Sequence, residues 1–192
     1  MNFMKRTLLL LAFLLPFCAG AQWFDISAMC GLAPYKISAG IKNSVAATYY
    51  GSISFVKLKK FDLGVQVSGM NTVTVCSTFM AGIFADYVIP IGDEEKHIIT
   101  LGVHYNNIYY GDIPKGGKYF KDGSRDTTGL KMTNTDAYGI RLGYKRRLGE
   151  HFYADLLISP TYSISPIHFG SVKTLNCALL SVPVTVGISF RL

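Results

Sequence analysis

Ser181-Val182-Pro183-Val184-Thr185-Val186-Gly187-Ile188-Ser189-Phe190-Arg191-Leu192 is the stretch that decides the fold. Successive side chains on a strand point to opposite faces. One face therefore carries Val182, Val184, Val186, Ile188, Phe190 and Leu192, and the other Ser181, Pro183, Thr185, Gly187, Ser189 and Arg191. Every Val, Ile, Phe and Leu falls in phase. A strand of this kind at the end of the sequence brings no tail to cover its edge, so the edge is expected to be paired by closure into a barrel.

The amino end reads as a removable export signal. Lys5 and Arg6 precede a nearly unbroken apolar run from Thr7 to Phe17, and Ala19-Gly20-Ala21 supplies a small-x-small cleavage pattern before Gln22. The run is shorter than the ~20 residues a membrane helix needs. Cys18 is a poor acylation site because the bulky Phe17 precedes it. The expected organisation is a signal peptide over 1–21 and a single domain over 22–192.

Composition narrows the class. Only 16% of residues are charged, against about a quarter in a soluble domain, yet nothing after Phe17 resembles a helical membrane span. Loss of Lys5 and Arg6 lowers the formal charge from +7 to +5. That excess suits anionic headgroups better than nucleic acid, for which basic runs interleaved with stacking aromatics are missing. Cys30, Cys76 and Cys177 are odd in number and lack CxxC spacing, which argues against a zinc site and a disulfide scaffold. They read as small buried or lipid-facing hydrophobes, and no cofactor is expected.

The two-residue period recurs seven more times along the chain. Apolar faces run through Phe24 to Leu32, Val45 to Phe55, Phe61 to Val67, Phe79 to Ile89, Ile99 to Tyr105, Tyr138 to Tyr144 and Phe152 to Ile158. Short links at Lys59-Lys60, Gly92 to Lys96 and Leu148 to His151 alternate with mostly longer ones at Ala33 to Asn43, Gly69 to Thr74, Tyr110 to Asn134 and Ser163 to Lys173. Short turns on one rim and long loops on the other match a bacterial outer-membrane barrel. The second face holds Gly, Ser, Thr and Gln rather than the Lys and Glu of a water-facing surface. Aromatic residues flank the apolar face at two levels, with Phe24, Phe55, Phe61, Tyr87, Tyr144, Phe152 and Phe190 near the turns and Phe79, Tyr105, Tyr138 and Tyr162 near the loops. The apolar face is therefore expected to meet lipid, and backbone groups in hydrocarbon then force the sheet to close.

With these features the chain resembles the small eight-stranded outer-membrane β-barrel family of Gram-negative bacteria across Gln22 to Leu192. The resemblance implies an eight-stranded antiparallel up-and-down transmembrane barrel. It also implies that Val184 to Leu192 acts as the assembly signal for the barrel-insertion machinery, although Leu192 rather than an aromatic stands last. A fainter similarity, through length, Ile98-Ile99-Thr100-Leu101-Gly102-Val103 and the glycine-rich loop before Tyr138-Gly139, is to the outer-membrane component of conjugative transposons.

Chemistry could reside in the lumen or the loops. Asp25, Asp62, Asp86, His104, Arg141, Lys145, Asp155 and Arg191 fall on the inward face. An eight-stranded barrel is only wide enough for side chains to fill, so these groups are expected to neutralise one another and plug the tube; a porin-like solute path needs a wider lumen. A lipid-modifying hydrolase or acyltransferase can be written from His104, Asp86, Ser159 and Ser189, or from His168 and Ser165, but it lacks any matching motif. The segment from Tyr110 to Asn134 is long enough to be functional. Its Lys118, Tyr119, Phe120, Lys121 and Arg125 could contact lipopolysaccharide phosphate, a glycan or another protein. The reading is a non-enzymatic outer-membrane protein with a structural, interaction or adhesion role, surrounded by outer-membrane lipid and lipopolysaccharide.

Overall fold

The computed structural model describes residues 24–37, 44–58, 60–71, 77–92, 96–110, 130–132, 134–169 and 173–192. The export-signal segment and Lys118, Tyr119, Phe120, Lys121, Arg125 and Cys76 lie outside the described residues. Eleven strand segments form one antiparallel sheet: β1 (Asp25–Ile37), β2 (Ser44–Leu58), β3 (Phe61–Asn71), β4 (Thr78–Ile91), β5 (His97–Tyr110), β6 (Leu130–Met132), β7 (Thr135–Arg147), β8 (Phe152–Ile158), β9 (Thr161–Phe169), β10 (Lys173–Ser181) and β11 (Val184–Arg191). They make eight spans, because β6 leads into β7, β8 continues as β9, and β10 continues as β11. The ring closes where β11 pairs with both β8 and β1, from Asp25 opposite Arg191 to Leu32 opposite Val184.

Proline explains where the two long spans break. Pro160 lies between β8 and β9, and Pro183 between β10 and β11; neither has an N–H to give to a ladder. Their carbonyls still accept, Pro160 from Ile140 N at 3.1 Å and Pro183 from Ser159 N at 3.0 Å. The neighbouring Val182 N donates to the Pro34 carbonyl at 2.9 Å. Few backbone groups at the breaks are therefore left for lipid to solvate, which a membrane barrel requires.

Four loop expectations need correction, and in one of them β6 (Leu130–Met132) occupies the end of the stretch from Tyr110 to Asn134 and pairs with β9. The stretch from Ser163 to Lys173 is not an open loop: β9 runs to Phe169 and β10 starts at Lys173, the two paired antiparallel with Phe169 opposite Lys173. In its sequence, Ser-Ile-Ser-Pro-Ile-His-Phe, the alternating period slips at Pro166, with Ile164 in one phase and Ile167 and Phe169 in the other, so alternation does not reveal the strand. The first strand likewise extends past Leu32 to Ile37, and the third past Ser68 to Asn71.

The pleat sorts the side chains by face. Val184, Ile188 and Leu142 are exposed on the exterior, while Asp86 and Arg141 are 4% and 5% exposed inside. Outward residues such as Val103 and Tyr138 reach 59% exposure, an apolar belt that water would not tolerate and hydrocarbon would. At the turn rim Phe61 packs edge-on against Tyr87 at 5.2 Å, and Phe152 against Phe190 at 5.2 Å. At the loop rim Tyr105 lies 5.4 Å from Tyr138 and Phe79 lies 6.2 Å from Tyr109. Two aromatic girdles thus bound the belt, as amphipathic rings do at the two water interfaces. Among the described residues no helix is long and apolar enough to cross a membrane; the strands do so.

Candidate functional site

The lumen is packed in three levels. At the turn end Val88, Ile98 and Tyr153 form a buried apolar floor. Toward the loops the inward positions are again mainly apolar, with Tyr35, Met70, Met80, Ile108 and Leu179 all buried. Between the two lies a band of ions and hydrogen bonds.

Arg141 on β7 centres the first half of that band. Its Nε donates to both carboxylate oxygens of Asp86 at 2.8 and 3.1 Å. Nη1 donates to the Tyr50 hydroxyl at 2.6 Å and to Oε1 of Gln66. Gln66 passes the chain on, its Nε2 donating to Asn106 Oδ1 at 2.8 Å. The guanidinium carbon sits 4.0 Å from the centroid of the Phe84 ring, a cation–π contact in a desolvated setting. Glycine makes room for it: a Cβ on Gly64 would stand 2.5 Å from the Phe84 ring.

Lys145 and Arg191 hold the second half. Lys145 Nζ lies 2.7 Å from Asp25 and 3.5 Å from Asp155. Arg191 reaches Asp25 at 3.5 Å and Asp62 at 3.4 Å. Ser27 and Ser189 each donate to Asp155 at 3.1 Å. These groups come from β1, β3, β7, β8 and β11, so closure of the ring is what brings them together. Mutual pairing removes most of the several kcal/mol that each isolated buried ion would cost. A cavity of about 30 Å³ remains among Asp25, Asp62, Asp86, Arg141, Lys145 and Asp155, room for one or two water molecules and no more.

His104 stands apart from both groups. Its Nε2 is 3.1 Å from the Thr161 hydroxyl, and its ring packs over Gly139, where a Cβ would meet Nε2 at 2.5 Å. The set His104, Asp86, Ser159 and Ser189 is not assembled as a relay. Asp86 is held by Arg141 and Ser189 by Asp155 and Lys145, while no hydrogen bond joins His104 to either. Ser165, His168 and Cys177 fall on β9 and β10, with side chains outside the described residues, and Cys30 is a free thiol on the exterior. No group of three or more His, Cys, Asp or Glu suited to a metal occurs among the described residues. Tyr50, Phe84, Gln66 and Asn106 are the functional neighbours that charge alone did not single out; their inward parity was the available signal.

No family model and no curated protein sequence matches the chain. Solved structures do match its shape. Neisserial surface protein A superposes with a TM-score of 0.58 at 12% identity, covering 87% of this chain and 96% of that one. The outer membrane protein OprG from Pseudomonas aeruginosa gives 0.56 at 12% identity, covering 90% and 96%. The chain has the fold of the small outer-membrane β-barrels. At this identity the likeness shows the barrel fold alone.

Proposed function

We propose that the protein works in the outer membrane as a non-enzymatic barrel whose scaffold is its plugged lumen and whose contacts are made by its loop rim. The supporting observation is the combination of an apolar exterior with an interior filled by paired ions between two apolar levels. A tube closed in this way holds its shape and conducts poorly. In this reading residues 1–21 direct export and are removed, and the chain from Val184 to Leu192 is read by the insertion machinery. The 19-residue segment 111–129, with Lys118, Tyr119, Phe120, Lys121 and Arg125, offers cations and rings to lipopolysaccharide phosphate, a glycan or a protein.

Expression in a Gram-negative host tests the reading. The mature chain should begin at Gln22, stay in the detergent-extracted envelope and migrate faster on gels unboiled than boiled. Recovery as a soluble periplasmic protein would refute it. Single-channel steps in planar bilayers would replace the plugged scaffold with a pore, and altered lipid A spectra on expression would replace it with an enzyme.

A further inference from the structure

On the outward face of the loop half, the wall of the barrel has a notch. Leu63, Ala85 and Val103 stand in register across β3, β4 and β5, and Ala85 is the small member of that row. The next outward row toward the loops is Val65, Ile83, Tyr105 and Tyr138. With Phe55 these side chains wall an apolar groove of about 680 Å³. Tyr105 joins the groove to a polar group above it. Its ring lies 5.4 Å from that of Tyr138, and its hydroxyl donates to Asp136 Oδ1 at 2.7 Å. Asn107, the cross-strand partner of Asp136, donates to the same oxygen from Nδ2 at 3.1 Å. Asp136 is exposed, and its second oxygen, Oδ2, receives no hydrogen bond from the described residues.

The chemistry of that oxygen selects a ligand. An ionised carboxylate only accepts, so a head that meets Asp136 must bring hydroxyl or N–H donors. A phosphodiester brings none and is itself negative. The two tyrosine rings beside the carboxylate give a sugar rigid, amphipathic faces to rest on. The groove beneath lies within the apolar belt, at the depth of hydrocarbon tails. We infer that this face binds a glycolipid of the outer leaflet, which donates a sugar hydroxyl or amide N–H to Asp136 and lays an acyl chain in the notch at Ala85. The inference rests on the membrane reading above, in which the loop rim meets the outer leaflet.

The test uses the full mature chain, folded in detergent and exposed to lipid A, phosphatidylethanolamine and phosphatidylcholine in equal amounts, with retained lipid counted by native mass spectrometry. The unsubstituted protein should retain lipid A preferentially. Asp136→Ala should weaken that retention about ten-fold, the net worth of one or two hydrogen bonds. Ala85→Phe, which fills the notch, should weaken it about four-fold for each methylene kept out. Val186→Phe, on the exposed face of β11 across the ring, should leave it unchanged. Equal retention of lipid A and phosphatidylcholine would overturn the inference, and equal retention of lipid A and phosphatidylethanolamine would overturn it in favour of an amine head. It would also fall if Asp136→Ala or Ala85→Phe lost nothing, or if Val186→Phe lost as much as Ala85→Phe. Displacement of lipid A by free glucosamine at equal concentration would replace it with a free-sugar site. A chain that shows no preference for lipid A yet keeps its heat-modifiable mobility refutes the groove alone. Loss of that mobility in the unsubstituted chain refutes the membrane reading and the groove with it.

Discussion

Replacing Arg141 with Met should be among the most damaging single changes in the barrel. Arg141 is 5% exposed and supplies the ion pair to Asp86, the 2.6 Å bond to Tyr50, the bond to Gln66 and the stack on Phe84. Met fills part of the volume but leaves Asp86 as a buried carboxylate with no cation. Breaking one side of such a pair costs about 3–5 kcal/mol. With a urea slope of about 2 kcal/mol per molar, the unfolding midpoint should fall by about 2 M. The fraction folded is read from the unboiled band on gels across a urea series in lipid vesicles. Asp86→Leu combined with Arg141→Met removes the stranded charge and should recover more than half of the loss, since apolar replacement of a whole buried pair is often neutral. Lys145→Met should cost less, because the Lys145 side chain is 16% exposed and Arg191 still stands 3.5 Å from Asp25. A loss under about 1 kcal/mol for Arg141→Met, or a double variant no better than the single one, would refute the reasoning, for burial would then not be making the pairing obligatory.

Further predictions follow from the same geometry. Val103→Arg, on the exposed belt of β5, should cost about 2–4 kcal/mol in a bilayer, measured by the same titration; no cost would mean that this face does not meet hydrocarbon. Gly64→Val places a side chain where the Phe84 ring lies, 2.5 Å from the position of a Cβ. It should destabilise by about 1–3 kcal/mol through overpacking, and Phe84→Leu in the same chain should relieve part of that. Gly92 has φ of 79° in the turn after β4 and open space around its Cβ position. Gly92→Ala should therefore cost only the left-handed backbone penalty of about 1 kcal/mol, while Gly92→Asn, which tolerates that region, should cost less.

Much of this architecture could be read from the chain because a membrane barrel writes its rule into every second residue. Val184 to Leu192, Ile99 to Tyr105 and Tyr138 to Tyr144 announce both strand and orientation, since a one-residue slip would turn Asp86 or Arg141 toward lipid. The rule weakens toward the loops. There the inward face becomes apolar too, with Tyr35, Met70, Met80, Ile108 and Leu179 buried inside, so alternation fades and strand ends were placed too early. Pro160 and Pro183 interrupt long spans at places where their carbonyls still accept, breaks that alternation alone does not show. Pairing within the ion band was beyond the sequence for a different reason. Parity puts seven charges inside, but which carboxylate meets which cation depends on register: Arg141 meets Asp86 across β5, with Gly102 in register between them, whereas Lys145 meets Asp25 only through the closure of β11 on β1. The same closure makes the interior a single unit. A strand lost from the ring would leave unsatisfied backbone in hydrocarbon and unpaired ions in the lumen at once, so the barrel should unfold as a whole rather than strand by strand.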